Sequence, residues 1–433
     1  MSEQRCPEPA EGRNSDSLLS GYRVLDLSDE KGLLCGKVLG DLGADVIKIE
    51  RPGGDPARNS GPFYKDIPDP QKSLFWFFTN LNKRSITLNI EVPDGRGIFK
   101  RLVKAAHFII ETYEPGYMAS LGLGYPELEK INPAIIMTSI TPFGQTGPYA
   151  QYKVTDIVLM GMGGLMRHFG DPDRAPVRFS QPQTFVVGGM FAVESSIMAH
   201  YYRQATGQGQ HVDVSCREAI ILTNLFYSES WEMVRYNYQR QGVYWARARP
   251  APLGSLVSQH IYPCKDGFVA GYIHGGAQAG LVQSSRALTE WANSLGYALE
   301  IKDYEWTRLD LGTVPQAELS RLQGALGAFL LTRTKAEIME KALEKGLFMI
   351  PVNLAKEVIE SPQFKATEFF VQVEYPELGQ VITYPGFSVK MSGLSYRVQR
   401  RAPLIGEHNE EVYVGELGFS REELARLKAS SII

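Results

Sequence analysis

The sequence is poor in the features that mark several common functional classes. Cysteine is scarce: Cys6, Cys35, Cys216 and Cys264 stand far apart and form no CxxC pair. That spacing argues against a disulfide framework or a zinc ribbon. It leaves free, buried thiols and a reducing, cytoplasmic setting as the expectation. No apolar run is long enough to cross a bilayer, so no membrane partner is expected. Neither sign of charge is in surplus: 45 Lys and Arg stand against 48 Asp and Glu, a net charge of -3. Without a basic stripe, nucleic acid is not an expected partner. No GxGxxG follows the first predicted strand, and neither a Walker pattern nor GxSxG occurs. A nicotinamide site built on that fingerprint therefore has no support, and fold class alone brings no mechanism with it.

What is present suits a globular enzyme. The 433 residues are 44% hydrophobic and 21% charged, enough for two domains with their own cores. Residues 1–18 are polar, lack the apolar stretch of a secretory signal and read as a disordered lead-in. Apolar, β-branched runs at 22–27, 44–50, 85–90, 107–112 and 135–140 read as strands. Helical patterns at 32–42, 94–104 and 126–131 fall between them. This alternation predicts an open, doubly wound α/β layer with a parallel sheet. A buried helix is expected over 190–202, a strand over 211–215 and a second long helix over 218–235. Residues 243–255, rich in Arg, Ala, Pro and Gly, read as a linker. A hairpin turning at Lys265-Asp266-Gly267 follows, then helices near 287–295, 317–331 and 335–345. The expected organisation is a large α/β domain over 19–242, a small α+β domain over 256–360 and a return segment over 361–433. No internal repeat is visible.

Five blocks then narrow the reading. They are Leu39 to Pro56, Asn82 to Leu88, Leu121 to Tyr125 with Ile131-Asn132-Pro133, Pro142 to Pro148, and Ala402 to His408. In this order they resemble the class III CoA-transferases, the formyl-CoA transferase family. The resemblance implies a Rossmann-like large domain built from both chain ends and a small domain from the middle. It further implies two chains threaded through each other as interlocked rings. Substrates would be CoA and acyl-CoA thioesters, with no permanently bound cofactor and no metal.

In that family a carboxylate attacks the donor thioester and splits one hard exchange into easier steps. The aspartate concerned lies in the register of Pro182 to Gly189, where this chain has Phe185. A phenyl ring cannot attack a thioester, so no catalytic residue is expected here. The adjacent Thr184 has no histidine beside it and is a poor substitute. The expectation is a supporting subunit whose partner, a paralogous CoA-transferase subunit, keeps the aspartate. A mobile glycine-rich loop of active relatives is replaced at Pro250 to Ser255 by a stiffer segment, and Gly275-Gly276 reads as a turn.

For CoA recognition the resemblance points to Arg51 at the nucleotide end and Lys153 near the phosphates. Leu88, Asn89, Thr112 and Tyr113 would line the adenine and pantetheine channel. Lys31, followed by Gly32, stands in the first loop where relatives carry glutamine then alanine. An arginine of some relatives is lost at Ser120. For Arg51 and Lys153 an ordinary solvated surface charge weighs equally. Asp156 matches a proton-exchanging aspartate of the racemase branch. That aspartate needs a histidine from the preceding segment, and none lies between His107 and His168. Asp156 is thus expected to start a helix or make a polar contact, and His168 to be a loop residue. An acyl-CoA racemase using Asp156 and a non-enzymatic scaffold remain as alternatives.

Overall fold

The computed structural model describes residues 17–224, 227–249, 253–392 and 396–433. Most of the lead-in, and Pro250, Ala251 and Pro252 of the stiff loop, lie outside these described residues. The chain divides into two compact units. One comprises the chain up to Leu165, Arg178–Glu229 and Pro362–Ile433; the other comprises Met166–Val177 and Ser230–Ser361. The division therefore gives 230–242, together with 166–177, to the small unit, beyond the sequence boundary at 243.

The large unit is a parallel α/β layer. Its elements are β1 (Arg23–Asp26), α1 (Leu33–Asp41), β2 (Asp45–Glu50), β3 (Lys83–Thr87), α2 (Pro93–Lys104), β4 (Phe108–Glu111), β5 (Ile136–Thr141), α3 (Asp156–Met162), α4 (Thr184–Thr206), β6 (Gln210–Ser215) and α5 (Cys216–Leu222). The six strands lie in the order β3-β2-β1-β4-β5-β6, all parallel. β3, β4 and β5 are buried throughout, as strands covered on both faces must be; β4 and β5 are mostly apolar or β-branched, whereas β3 buries the polar Lys83, Arg84 and Ser85 through ion pairs and hydrogen bonds. α2 starts at a proline, where the missing N–H costs nothing, and buries Ile98, Phe99, Leu102 and Val103 on one stripe.

α4 is longer than the 190–202 pattern predicted. It ends where Gly207 adopts φ +76, the left-handed stop that glycine tolerates best. The long helix expected over 218–235 is broken. α5 stops at Leu222, and the Thr223 hydroxyl donates to the Ile220 carbonyl at 2.7 Å, competing with the helical ladder. A separate helix spans Tyr227–Val234.

The small unit begins with a correction. The segment read as a linker contains β7 (Tyr244–Ala248), paired antiparallel with β8 (Ser255–Gln259). Its Arg, Ala and Pro content hid the strand because the pairing, not propensity, stabilises it. β9 (Ile261–Cys264) and β10 (Gly267–Gly271) form the expected hairpin. Next come α6 (Ala279–Ser294), α7 (Gln316–Leu330), α8 (Lys335–Lys345), and β11 (Met349–Pro351), which completes a three-stranded sheet with β9 and β10. Thr334 and Glu337 close α8 with reciprocal capping bonds. Trp291 and Phe329 meet edge to face at 4.8 Å in its core.

The return segment carries β12 (Phe370–Tyr375), β13 (Gln380–Pro385) and α9 (Arg421–Ala429). It also covers the open edge of the large sheet. His408 N–H donates to the Ser85 carbonyl and Ser85 N–H to His408 Nδ1. Asn409 accepts from Thr87 N–H at 2.9 Å, and the Tyr413 hydroxyl donates to the Thr87 carbonyl at 2.6 Å. Edge β3 is thus satisfied by residues more than three hundred positions away.

Beneath the strand ends lies a buried charge network. Lys83 Nζ meets Asp26 at 2.8 Å, with both side chains fully buried, and also donates to the Leu33 carbonyl. Lys48 pairs with Asp55 at 2.9 Å. Arg58 makes a fork to Glu50 at 2.6 and 2.7 Å and stacks 3.7 Å over Trp76. Replacing Asp26 by alanine leaves the Lys83 ammonium buried without its counter-charge. Denaturant titration should show a loss of about 3–5 kcal/mol; a loss below about 1 kcal/mol, the range of surface pairs, would show that the pair carries little.

Candidate functional site

The sheet order reverses at β1: β2 and β3 lie to one side, β4 to β6 to the other. At such a switch point the connecting segments leave in opposite directions and open a crevice at the carboxyl ends of the strands. A cleft of about 450 Å³ lies there. Lys31 enters it from the loop after β1, Arg51 from the end of β2, Leu88 and Asn89 from the end of β3, and Thr112 and Tyr113 from the end of β4. The topology thus brings together six side chains that the resemblance had named separately. Lys153 does not line the cleft. It is 81% exposed and pairs at 2.8 Å with Glu114, which does. Ser120 is exposed, its hydroxyl donating to the Tyr117 carbonyl.

The first loop is tied to the end of β4. Thr112 Oγ1 accepts from Asp29 N–H and donates to Asp29 Oδ1, both at 2.8 Å. Asp29 Oδ1 also accepts from Lys31 N–H, and its other oxygen pairs with Lys31 Nζ. Gly32 is required at the next position. A β-carbon there would sit 2.7 Å from both Ser28 Cβ and Thr112 Cγ2. Tyr113 and Tyr117 meet at 4.7 Å, and the Tyr117 hydroxyl donates to Glu91. Asn89 N–H donates to the Ile432 carbonyl, so the C-terminal end helps close this wall.

The cleft's electrostatics are set by pairing. Glu50 and Asp55 line it, but Arg58 and Lys48 neutralise them from behind. Lys31 is held by Asp29. Arg51 is exposed and, among the described residues, has no ion-pair or hydrogen-bond partner, so it is free for an anionic ligand. Behind Thr112, the Glu111 carboxyl is 3% exposed. Burial pushes its pKa up to about 7, against the hydrogen bonds from Ser139 and Tyr113 N–H. Ser139 in turn lies 2.9 Å from His211 Nε2.

Phe185 is the second residue of α4. It is 8% exposed and belongs to the apolar cluster containing Leu39, Ile140, Leu159 and Val193. Thr184 does not offer a free hydroxyl, since it donates to Asp156 Oδ1 at 2.6 Å. The same oxygen accepts from Gln183 N–H at 3.0 Å and Thr184 N–H at 2.8 Å. Asp156, first residue of α3, thus caps the start of α4 from outside that helix. His168 sits in a short helical turn assigned to the other unit. Burial and the neighbouring Arg167 lower its pKa.

Sequence reasoning passed over Asp29, Glu30, Glu91, Glu114, Tyr117 and Ser431. Glu30, between the cleft-lining Asp29 and Lys31, keeps part of its surface in solvent; partial desolvation, then the Asp29 carboxylate, raises its pKa against the pull of Lys31. The available signal was positional. In a parallel sheet the residues just after each strand form the crevice, whatever their type.

A doubly wound parallel sheet with a cleft at its switch point defines the class as an open α/β protein. The sequence comparisons make this specific: the model for CoA-transferase family III matches residues 19–409, and the chain belongs to that family. It is 30% identical over 414 residues to succinyl-CoA:(R)-benzylsuccinate CoA-transferase subunit BbsE of Thauera aromatica, covering 94% of this chain and 96% of the relative. It is 31% identical to the succinyl-CoA–D-citramalate CoA-transferase of Chloroflexus aurantiacus, with 100% of both chains covered. A CaiB/BaiF family protein from Brucella suis superimposes with a TM-score of 0.78 at 26% identity, covering 92% of this chain and 99% of that one. Among the described residues no helix is long and apolar enough to cross a membrane, and no cluster of His, Cys, Asp or Glu could hold a metal ion.

Two measurements test the cleft. Arg51→Ala should weaken CoA binding about tenfold in calorimetry, the size of one charge-assisted contact. Glu111 favours its neutral form in the folded state, so its contribution to stability is full below about pH 4.5 and is lost as pH rises through about 7. Denaturation across that window should show a decline of up to about 3 kcal/mol, and Glu111→Gln should flatten it.

Proposed function

We propose that this chain is the supporting subunit of a heteromeric class III CoA-transferase, paired with a paralogue that carries the nucleophilic aspartate. What supports this reading is Phe185, buried at the start of α4, in the stretch where the sequence resemblance would put the family's aspartate. The partner's carboxylate would attack the donor thioester and pass CoA to an acid. This chain would supply the dimer framework, with its cleft holding a CoA thioester through Arg51, Lys31 and the Tyr113 wall. Succinyl-CoA is the donor this reading favours, because two relatives name it. An aromatic dicarboxylate, (R)-benzylsuccinate, is the favoured acceptor on the likeness to subunit BbsE. The family's interlocked dimer would then join two different subunits in the cytoplasm, in an anaerobic toluene-degrading setting. An acyl-CoA racemase using Asp156 has less support, since its Oδ1 already accepts three hydrogen bonds.

Purified alone, the chain should form no enzyme-bound CoA thioester and show no exchange between succinyl-CoA and benzylsuccinate. Co-expressed with an aspartate-bearing paralogue, it should co-purify with it and exchange should appear. Robust exchange by the single chain would sink the proposal.

A further inference from the structure

The small unit contains a second cavity, of about 880 Å³, that the CoA cleft does not explain. All its lining residues belong to that unit. Four rings form a continuous ladder along it. Trp245, opposite Ser258 in the β7–β8 pair, stacks on His260 with centroids 5.9 Å apart and planes 13° apart. His260 meets Tyr272 at 4.7 Å and His274 at 5.3 Å, and Tyr272 meets His274 at 5.4 Å. Phe348, Leu281, Leu309 and Leu311 supply further apolar wall.

The ladder is held from behind. His274 is 4% exposed, and its Nε2 lies 2.6 Å from Ser258 Oγ, which accepts from Gln323 Nε2 at 2.9 Å. The Ser285 hydroxyl also donates to the His274 carbonyl. The rim is fixed by close approach: a β-carbon on Gly275 would lie 2.0 Å from the Trp306 carbonyl oxygen, and Gly276 has φ +84. Rings held this way form a pre-shaped surface rather than a collapsed cluster.

Its charge is low. Burial, then the neighbouring His260, pushes the His274 pKa down to about 4, and burial lowers that of His260. Both imidazoles are therefore neutral near pH 7. Among the described residues, no Lys or Arg lines the cavity. Its one carboxylate, Asp310, is engaged in its own turn, accepting from Gly312 N–H at 2.8 Å and from the Thr313 hydroxyl at 3.2 Å. His260 Nε2 is buried without a hydrogen-bond partner, an arrangement that costs stability.

A concave surface of stacked, neutral rings with a single carboxylate in its described lining, within the size range of ligand sites, selects a flat aromatic group and rejects a nucleotide phosphate or a bare dicarboxylate. We propose that this cavity binds the aryl end of an aromatic carboxylic acid, its carboxylate pointing out of the cavity toward solvent. The inference rests on the acceptor class proposed above and adds the ring-binding surface to it.

The test uses the full chain, alone and with its paralogue, and two probes: benzylsuccinate and ring-free succinate. Saturation-transfer NMR should show benzylsuccinate bound through its ring protons and succinate not bound. Trp245→Ala and Tyr272→Ala should each weaken benzylsuccinate binding about three- to tenfold and leave CoA binding at the cleft unchanged. Both residues are more than 40% exposed, so the folded state should survive. Three outcomes would overturn the inference: no benzylsuccinate binding at millimolar concentration, equal binding of succinate, or variants that change only the association state. If the heteromer exchanges CoA to benzylsuccinate and both variants keep its KM, the cavity assignment fails while the subunit reading stands. If the variants lose binding but no paralogue restores exchange, the cavity assignment stands and the subunit reading fails.

Discussion

The pairing of Lys83 with Asp26 is the constraint on which the large unit is organised. Both groups are fully buried, so neither can be charged without the other. The pair joins β3 to the end of β1, and the Lys83 bond to the Leu33 carbonyl draws in the start of α1. Helix α1 passes so close that a β-carbon at Gly36 would fall 2.2 Å from Asp26 Oδ2. Only glycine permits that crossing. The ion pair therefore fixes where α1 begins, and with it the loop that carries Lys31 into the cleft. Lys48–Asp55 and Arg58–Glu50 repeat the device one layer outward, and Arg58 extends it to the Pro403 carbonyl of the return segment. A family fold assembled from both chain ends needs such a clasp, because the return segment adds no strand to the large sheet.

The same economy governs the start of α4. Its first N–H groups have no cap of their own, and Asp156 from α3 supplies one. This anchors the turn that presents residue 185. The anchoring bonds are made by the backbone of Gln183 and Thr184, so they do not depend on which side chain stands at 185. Gly188 keeps α4 against α5, where a β-carbon would meet Cys216 Sγ at 2.5 Å, and Gly189 keeps it against Leu34. Cap and close packing thus fix the start of α4 around a buried phenyl ring.

The α/β class was legible because the buried strands are continuous β-branched runs, and their order along the chain forces a doubly wound layer. Arg51 and Leu88 fall in the family blocks, Lys31, Asn89, Thr112 and Tyr113 outside them, and all six converge on one crevice. Lys153 was less legible, since a long exposed side chain leaves no pattern that fixes its partner. β7 escaped because a strand defined by its neighbour carries little signal of its own. The ladder of Trp245, His260, Tyr272 and His274 escaped for a related reason: its members are spread over three segments, brought together by the β7–β8 pair and the β9–β10 hairpin. Glu111 read as a strand residue, and only burial gives it an unusual proton affinity.

Phe185 then makes physical sense as a stable state of the scaffold. Fully burying a phenyl ring contributes roughly 1.5–3 kcal/mol relative to leaving it exposed. A carboxylate at the same depth would be desolvated, and the nearest capping carboxylate, Asp156, would repel it. An active subunit tolerates that cost because the strained group performs the chemistry. On the proposed reading, a subunit relieved of the chemistry would gain stability by filling the position with a ring and would keep its cleft for a ligand. On this view the loss of the nucleophile and the retention of the cleft are consequences of one pressure, since binding surfaces can serve a complex in which a different chain reacts.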